Sequence, residues 1–255
     1  MMSHLPVPLS YEEEGQGIPL MLVHGFPLNR SIWYPLIPLL KDKARLILPD
    51  LRGHGQSPAP EGTYAMRLLA EDLHALLDKL EIDKVILAGH SMGGYASLAF
   101  AQAYPNRLAG LAMIASQAAA DAPERRAGRE KTAEEVHRRG LRPLAQNMAP
   151  ALTCRQELVE PIHKMILKAN PKAVISSLRG MAERPDASEW LADITVPAVV
   201  IAGTEDKLIS LENARLMAQL LGRAWLVELP EAAHLPMMEQ PQPVANALLQ
   251  LIASV

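Results

Sequence analysis

Short apolar runs bounded by turn residues recur along the chain at residues 20–23, 46–48, 85–88, 108–115, 198–202 and 224–229. Runs of this length without polar alternation predict strands buried on both faces. Helical patterns lie between them. The clearest places Met66, Leu69, Leu73, Leu76, Leu77 and Leu80 on one face, with Thr63 as the predicted N-cap. Alternating strands and helices predict an α/β fold: a mostly parallel central sheet flanked by helices, with ligand chemistry at the carboxyl ends of the strands. The alternation stops between residues 117 and 193. Helical patterns at 130–139, 158–169 and 171–184 follow one another there, separated by the breakers Gly140, Pro143 and Pro150. The expected organisation is an α/β core of residues 1–116 and 194–255 with a small helical cap, 117–193, inserted into it.

Composition narrows the function. At 255 residues and 49% hydrophobic, the chain suits one domain with a large core. A net charge of −3, and a charge cluster at 124–139 that mixes both signs, offer no basic stripe for nucleic acid. Cys154 is the single cysteine, so an internal disulfide is excluded and no thiolate set exists for zinc. Residues 1–10 lack a basic start followed by an apolar stretch, and no apolar run approaches the ~18 residues of a membrane span. The expectation is a cytoplasmic protein, monomeric or a small homo-oligomer, whose partner is a small molecule rather than nucleic acid or membrane.

Gly89-His90-Ser91-Met92-Gly93-Gly94 directly follows the apolar run 85–88 and precedes the helical stretch 95–101. A serine in G-x-S-x-G between strand and helix sits at a sharp turn that presents its hydroxyl at the strand tip. Serine is a poor nucleophile at neutral pH and needs a histidine base and a carboxylate to orient that base. Asp206 follows the strand at 198–202, and His234 follows the next strand. Glu205 is the main rival carboxylate and Asp121 a more distant one; Asp206 alternatively only caps the next helix. The other histidines fall in a tail (His4), in helical patterns (His74, His137, His163), in turns (His24, His54) or inside the elbow (His90).

An oxyanion hole needs two backbone N–H groups. Met92, next to the nucleophile, supplies one. In the loop His24-Gly25-Phe26-Pro27, Pro27 has no N–H, which leaves Phe26 as the second donor, and His24 braces the loop. Leu28, Met148, Leu152, Leu208 and Leu235 are the candidate substrate-pocket residues beside Phe26 and Met92. With twelve Met and two Phe, the pocket is expected to be lined by flexible side chains.

Over its full length the chain resembles the α/β-hydrolase superfamily, through the 24–27 loop, Asp50-Leu51-Arg52-Gly53-His54-Gly55-Gln56-Ser57, the elbow, Gly203-Thr204-Glu205-Asp206 and Ala233-His234 in that order. It looks like the small carboxylesterases grouped with enol-lactonases and cofactor-free haloperoxidases (perhydrolases). The resemblance implies a serine carboxylesterase that cleaves short-chain esters through an acyl-enzyme, with no metal or organic cofactor. It opens perhydrolysis as a side activity through Pro27, and it gives residues 50–57 a structural role. Ala233, where relatives often have Gly, departs from the pattern. Serine at the elbow argues against the dehalogenases and epoxide hydrolases, which use aspartate there. Two alternatives stand beside this reading: a lactonase or C–C bond hydrolase, for which Arg125, Arg129, Arg155 or Arg179 would face a carboxylate-bearing substrate, and a signalling protein of the same fold that binds without turnover.

Overall fold

Each of the six apolar runs forms a strand in the computed structural model, which describes residues 5–255; residues 1–4 of the expected core, His4 among them, lie outside it. The strands are β1 (Tyr11–Glu14), β2 (Ile18–Val23), β3 (Ala44–Pro49), β4 (Val85–His90), β5 (Leu108–Ile114), β6 (Ala198–Gly203) and β7 (Ala224–Leu229). They form one sheet in the order β1-β3-β2-β4-β5-β6-β7. All neighbours pair in parallel except β1, which runs antiparallel along β3. The run Tyr-Glu-Glu-Glu carries no apolar signal, and a charged strand is tolerated there because β1 is an edge whose outward carboxylates meet solvent and Arg45.

Ten α-helices accompany the strands among the described residues: α1 (Ile37–Leu40), α2 (Met66–Lys79), α3 (Met92–Ala103), α4 (Pro123–Arg139), α5 (Arg142–Leu152), α6 (Gln156–Leu167), α7 (Pro171–Ala182), α8 (Leu211–Leu220), α9 (Pro236–Glu239) and α10 (Pro241–Ile252). Strand side chains alternate between two cores. Met21, Val23, Val85, Leu87, Leu111 and Met113 pack with α2 and α3 on one face. Leu20, Leu22, Ile86, Ala88, Ala112 and Ile114 pack with α10 and the segment Ile32–Leu36 on the other. Both faces are covered, which is why these strands read as unbroken apolar runs.

Helices α4 to α7 lie consecutively between β5 and β6. Helix α5 was hidden by its prolines. Pro143 falls in the first turn, where its missing N–H costs nothing, and Pro150 falls in the last; Ala145, Ala149 and Leu152 form the buried face between. Thr63 is not the N-cap of α2. The helix starts at Met66 behind an extended Ala65, because the Tyr64 N–H donates to Ser176 O of α7 at 3.1 Å and holds the entering chain straight.

Candidate active site

Between the end of β4 and the start of α3 there is one residue, Ser91, at φ 51° and ψ −113°. An L-residue held in such a region costs of order 1–3 kcal/mol and persists only where its surroundings fix it. The Ser91 N–H donates to Ile114 O at 3.0 Å, and its carbonyl accepts from Ser116 Oγ at 2.9 Å and from the Gly94 N–H at 2.9 Å. The flanking glycines let backbone meet backbone. A Cβ on Gly89 would lie 2.5 Å from Gly93 O, and one on Gly93 would lie 2.3 Å from Val23 O.

Beyond β6 and β7 the chain delivers the other two groups to the same edge. His234 Nδ1 lies 2.7 Å from Asp206 Oδ2, and both side chains are 2% exposed. A carboxylate only accepts, so Nδ1 carries the proton and Nε2 of the neutral ring is left as the basic nitrogen. Asp206 Oδ1 accepts the Leu208 and Ile209 N–H groups at 2.8 and 3.1 Å, which fixes the plane of the carboxylate. Asp206 therefore shapes its loop and meets the histidine at once. Glu205 is exposed, and Asp121 is committed to arginines.

Two other histidines frame the site. The Leu51 N–H donates to His24 Nε2 at 2.9 Å, so His24 Nδ1 is the donor to Gly25 O, also at 2.9 Å. Burial pushes the His24 pKa down to about 4, and the neutral ring braces the 24–28 loop. His90 is fully buried and donates from Nε2 to the His234 carbonyl at 2.7 Å; burial, with the neighbouring His234, holds its pKa well below the usual value. Residues 50–57 form a turn around Asp50, which pairs with Arg30 at 2.9 Å and accepts the Gln56 N–H at 2.9 Å.

Ser91 and His234 share a cavity of about 360 Å³. Phe26, Met148 and Leu208 line it, whereas Leu28, Leu152 and Leu235 do not. These three leucines are 0–1% exposed and pack beneath the site in the core on the α10 face. Leu152 belongs to the buried face of α5, and Leu28 and Leu235 lie in loops packed onto the same core, a direction that residue type alone does not reveal. Met92 is also buried, with only its backbone relevant at the first position of α3. Lining residues outside the expected set include Tyr95, Leu144, Leu178 and Met181.

The opposite wall belongs to α4. Arg125, Gly128, Arg129 and Thr132 all face the cavity, spaced as one side of a helix. Asp121, just before α4 and with a fully buried side chain, pairs with Arg129, with Arg184 at 2.8 Å and with Arg125 at 3.4 Å. Although burial opposes ionisation, the Arg129 and Arg184 guanidinium groups hold its carboxyl below the usual carboxylate range. One carboxylate thus faces three guanidinium groups. The spare Nη1 of Arg129 meets only the Met181 thioether, at 3.4 Å. Arg155 and Arg179 are elsewhere: Arg155 bonds Glu231 O, and Arg179 pairs with Glu130 on the surface.

A parallel sheet, an elbow serine and a histidine–carboxylate pair at its carboxyl edge define a hydrolase architecture, and the chain belongs to the alpha/beta hydrolase fold family, whose model matches residues 18–241. Among its relatives is the 3-oxoadipate enol-lactonase 2 of Acinetobacter baylyi, 31% identical over 95% of this chain and 92% of that protein. A thermophilic esterase from Thermogutta terrifontis, solved with malate bound, is 40% identical with a TM-score of 0.93, covering 96% of this chain and 93% of that one. The enol-lactonase of Burkholderia xenovorans LB400 is 26% identical with a TM-score of 0.89, covering 96% of both chains. The chain thus lies near the enol-lactonases of the family. Among the described residues no helix is long and apolar enough to cross a membrane.

Proposed function

We propose that this hydrolase is a serine carboxylesterase acting on short-chain esters through a Ser91–His234–Asp206 triad, with helices α4 to α7 as its cap. The observation that carries the reading is the strained Ser91 on the wall of the same cavity as His234, whose Nδ1 is engaged by Asp206. In this mechanism Ser91 Oγ attacks the ester carbonyl while His234 Nε2 takes its proton. The alkoxide leaves with that proton as alcohol, and water then repeats the exchange on the acyl-enzyme. The Phe26 and Met92 N–H groups receive the oxyanion, and removal of one such donor costs ~3 kcal/mol of transition-state stabilisation.

Initial rates on p-nitrophenyl acetate, butyrate, octanoate and decanoate, with Ser91→Ala as the blank, test this. Turnover peaking at the short chains and lost by at least about a thousandfold in Ser91→Ala is expected. Full activity in that variant, or an optimum above about eight carbons, would overturn the respective half of the proposal.

A second reading is favoured by Arg125 and Arg129 on the cavity wall: the natural substrate carries a carboxylate. A lactonase of the enol-lactone type fits this chemistry, because closing one carboxyl of an oxoadipate into a ring leaves the other free to meet a guanidinium. The malate held by the 40% identical esterase is a dicarboxylate as well.

A further inference from the structure

Glu239, the last residue of α9 and outside the triad, receives three N–H or O–H hydrogen bonds, and a fourth from the Cys154 thiol at 3.4 Å, from two separate parts of the molecule. Its Oε2 accepts the Ala233 N–H at 2.7 Å, next to His234. Its Oε1 accepts the Thr153 hydroxyl at 2.7 Å and the Cys154 N–H at 2.8 Å, in the link between α5 and α6. The Thr153 oxygen itself accepts the Arg155 N–H at 3.0 Å, so its single proton is free to point at Glu239. Arg155 adds a second strap across the same gap, from Nη2 to Glu231 O at 3.2 Å.

The consequence is geometric. His234 is held from both sides, through Ala233 by Glu239 and through its own carbonyl by His90. Helix α5, which carries the cavity residues Leu144 and Met148, ends at the Thr153 anchor. We propose that Glu239 is a positioning residue that couples the cap to the loop carrying the catalytic base, so that one carboxylate sets both the reach of His234 and one wall of the pocket. The proposal rests on the acyl-transfer reading of Ser91 and His234. A displacement of about 1 Å at a reacting group is enough to cost on the order of a hundredfold in rate.

Glu239→Gln separates the two roles. An amide has one accepting oxygen, which stays with the two donors of residues 153 and 154, and its NH₂ then faces the Ala233 N–H, donor against donor. The histidine loop is released while the cap remains tied. On p-nitrophenyl butyrate we expect kcat to fall about tenfold or more with KM held within about twofold. The rate at which a fluorophosphonate labels Ser91 should fall by the same factor. Thr153→Val loosens the other end; loss of that hydrogen bond should raise KM about threefold with kcat nearly unchanged. Thermal melts report whether each variant is folded. A folded Glu239→Gln protein with parental kcat and labelling rate overturns the proposal. If that variant fails to fold, Thr153→Val carries the test, and an unchanged KM overturns it. A parent enzyme with no Ser91-dependent turnover or labelling would instead sink the acyl-transfer reading, and this proposal with it.

Discussion

Gly93 is the residue at which the nucleophile turn has least room. The Cβ of an alanine there would lie 2.3 Å from Val23 O and 2.6 Å from His24 O, both backbone atoms where β2 enters the 24–28 loop. Neither atom can swing aside as a flexible side chain would, so α3 and the loop must separate. Gly93→Ala should destabilise the fold by about 1–3 kcal/mol, and, on the proposed mechanism, turnover should fall further than the lost folded fraction accounts for, because the Met92 and Phe26 N–H groups proposed to receive the oxyanion are pulled apart. Denaturation midpoints and kcat on one ester check this; parental values for both would mean the backbone yields freely. This tight steric pattern is also why the site was legible at the residue scale. Glycines around a serine at a strand end, and polar residues just past two later strands, report backbone constraints that short sequence windows contain. Leu28, Leu152 and Leu235 had no such constraint. A leucine near a catalytic loop serves core and pocket equally, and only the packing directs it.

At the scale of elements, α4 was the hardest to interpret from sequence. Its mixed charges read as a solvated face, with Arg125 and Arg129 open as alternatives, yet the spacing of Arg125, Gly128, Arg129 and Thr132 turns one side of it onto the cavity. Sequence shows that the four share a face but not which neighbour that face meets. That placement follows from Ala133 and Val136 being buried against α7 on the remaining side. Helix α5 was missed for a related reason: Pro143 sits in the first turn, where no N–H is needed, and Pro150 removes one hydrogen bond of the last turn without ending the buried face of Ala145, Ala149 and Leu152. With two guanidinium groups on its inner face, α4 should favour acyl groups bearing a carboxylate. Arg125→Gln keeps the length of the side chain and removes its charge. It should lower kcat/KM for p-nitrophenyl hydrogen glutarate about tenfold, the value of one charge-assisted hydrogen bond, while p-nitrophenyl butyrate changes by less than about threefold. Equal losses on both esters would show that Arg125 supports the fold of the cap without reading the substrate.

For the whole molecule, the seam between sheet edge and loops carries a dependence on pH. His24, His54 and His90 are all buried there, and the His24 and His54 rings lie 5.3 Å apart. Burial lowers the pKa of His24 from 6.5 to about 4 and that of His54 to about 3, and it depresses His90 as well. Each imidazole is therefore neutral in the folded protein at a pH where the unfolded chain already binds a proton. The stability these groups contribute is fully present above pH 6.5. It declines as pH falls below that value and continues to decline until the folded pKa is reached, at up to about 1.4 kcal/mol per pH unit for each ring. Carboxylates such as Asp121, whose folded pKa is also depressed, keep their contribution until pH falls below 3.8, so the two effects occupy different windows. Denaturant midpoints measured at pH 7.5, 6, 5 and 4.5 should drop steeply below 6.5, where Asp121 still keeps its charge. His54→Asn should flatten that slope by roughly one ring's share, because His54 has one backbone partner, Arg52 O at 2.9 Å, and an Nε2 with none. Midpoints level from pH 7.5 to 4.5 would mean that the seam admits water and lets these rings protonate in place, in which case the rigid bracing of the 24–28 loop by a neutral His24 would fall as well.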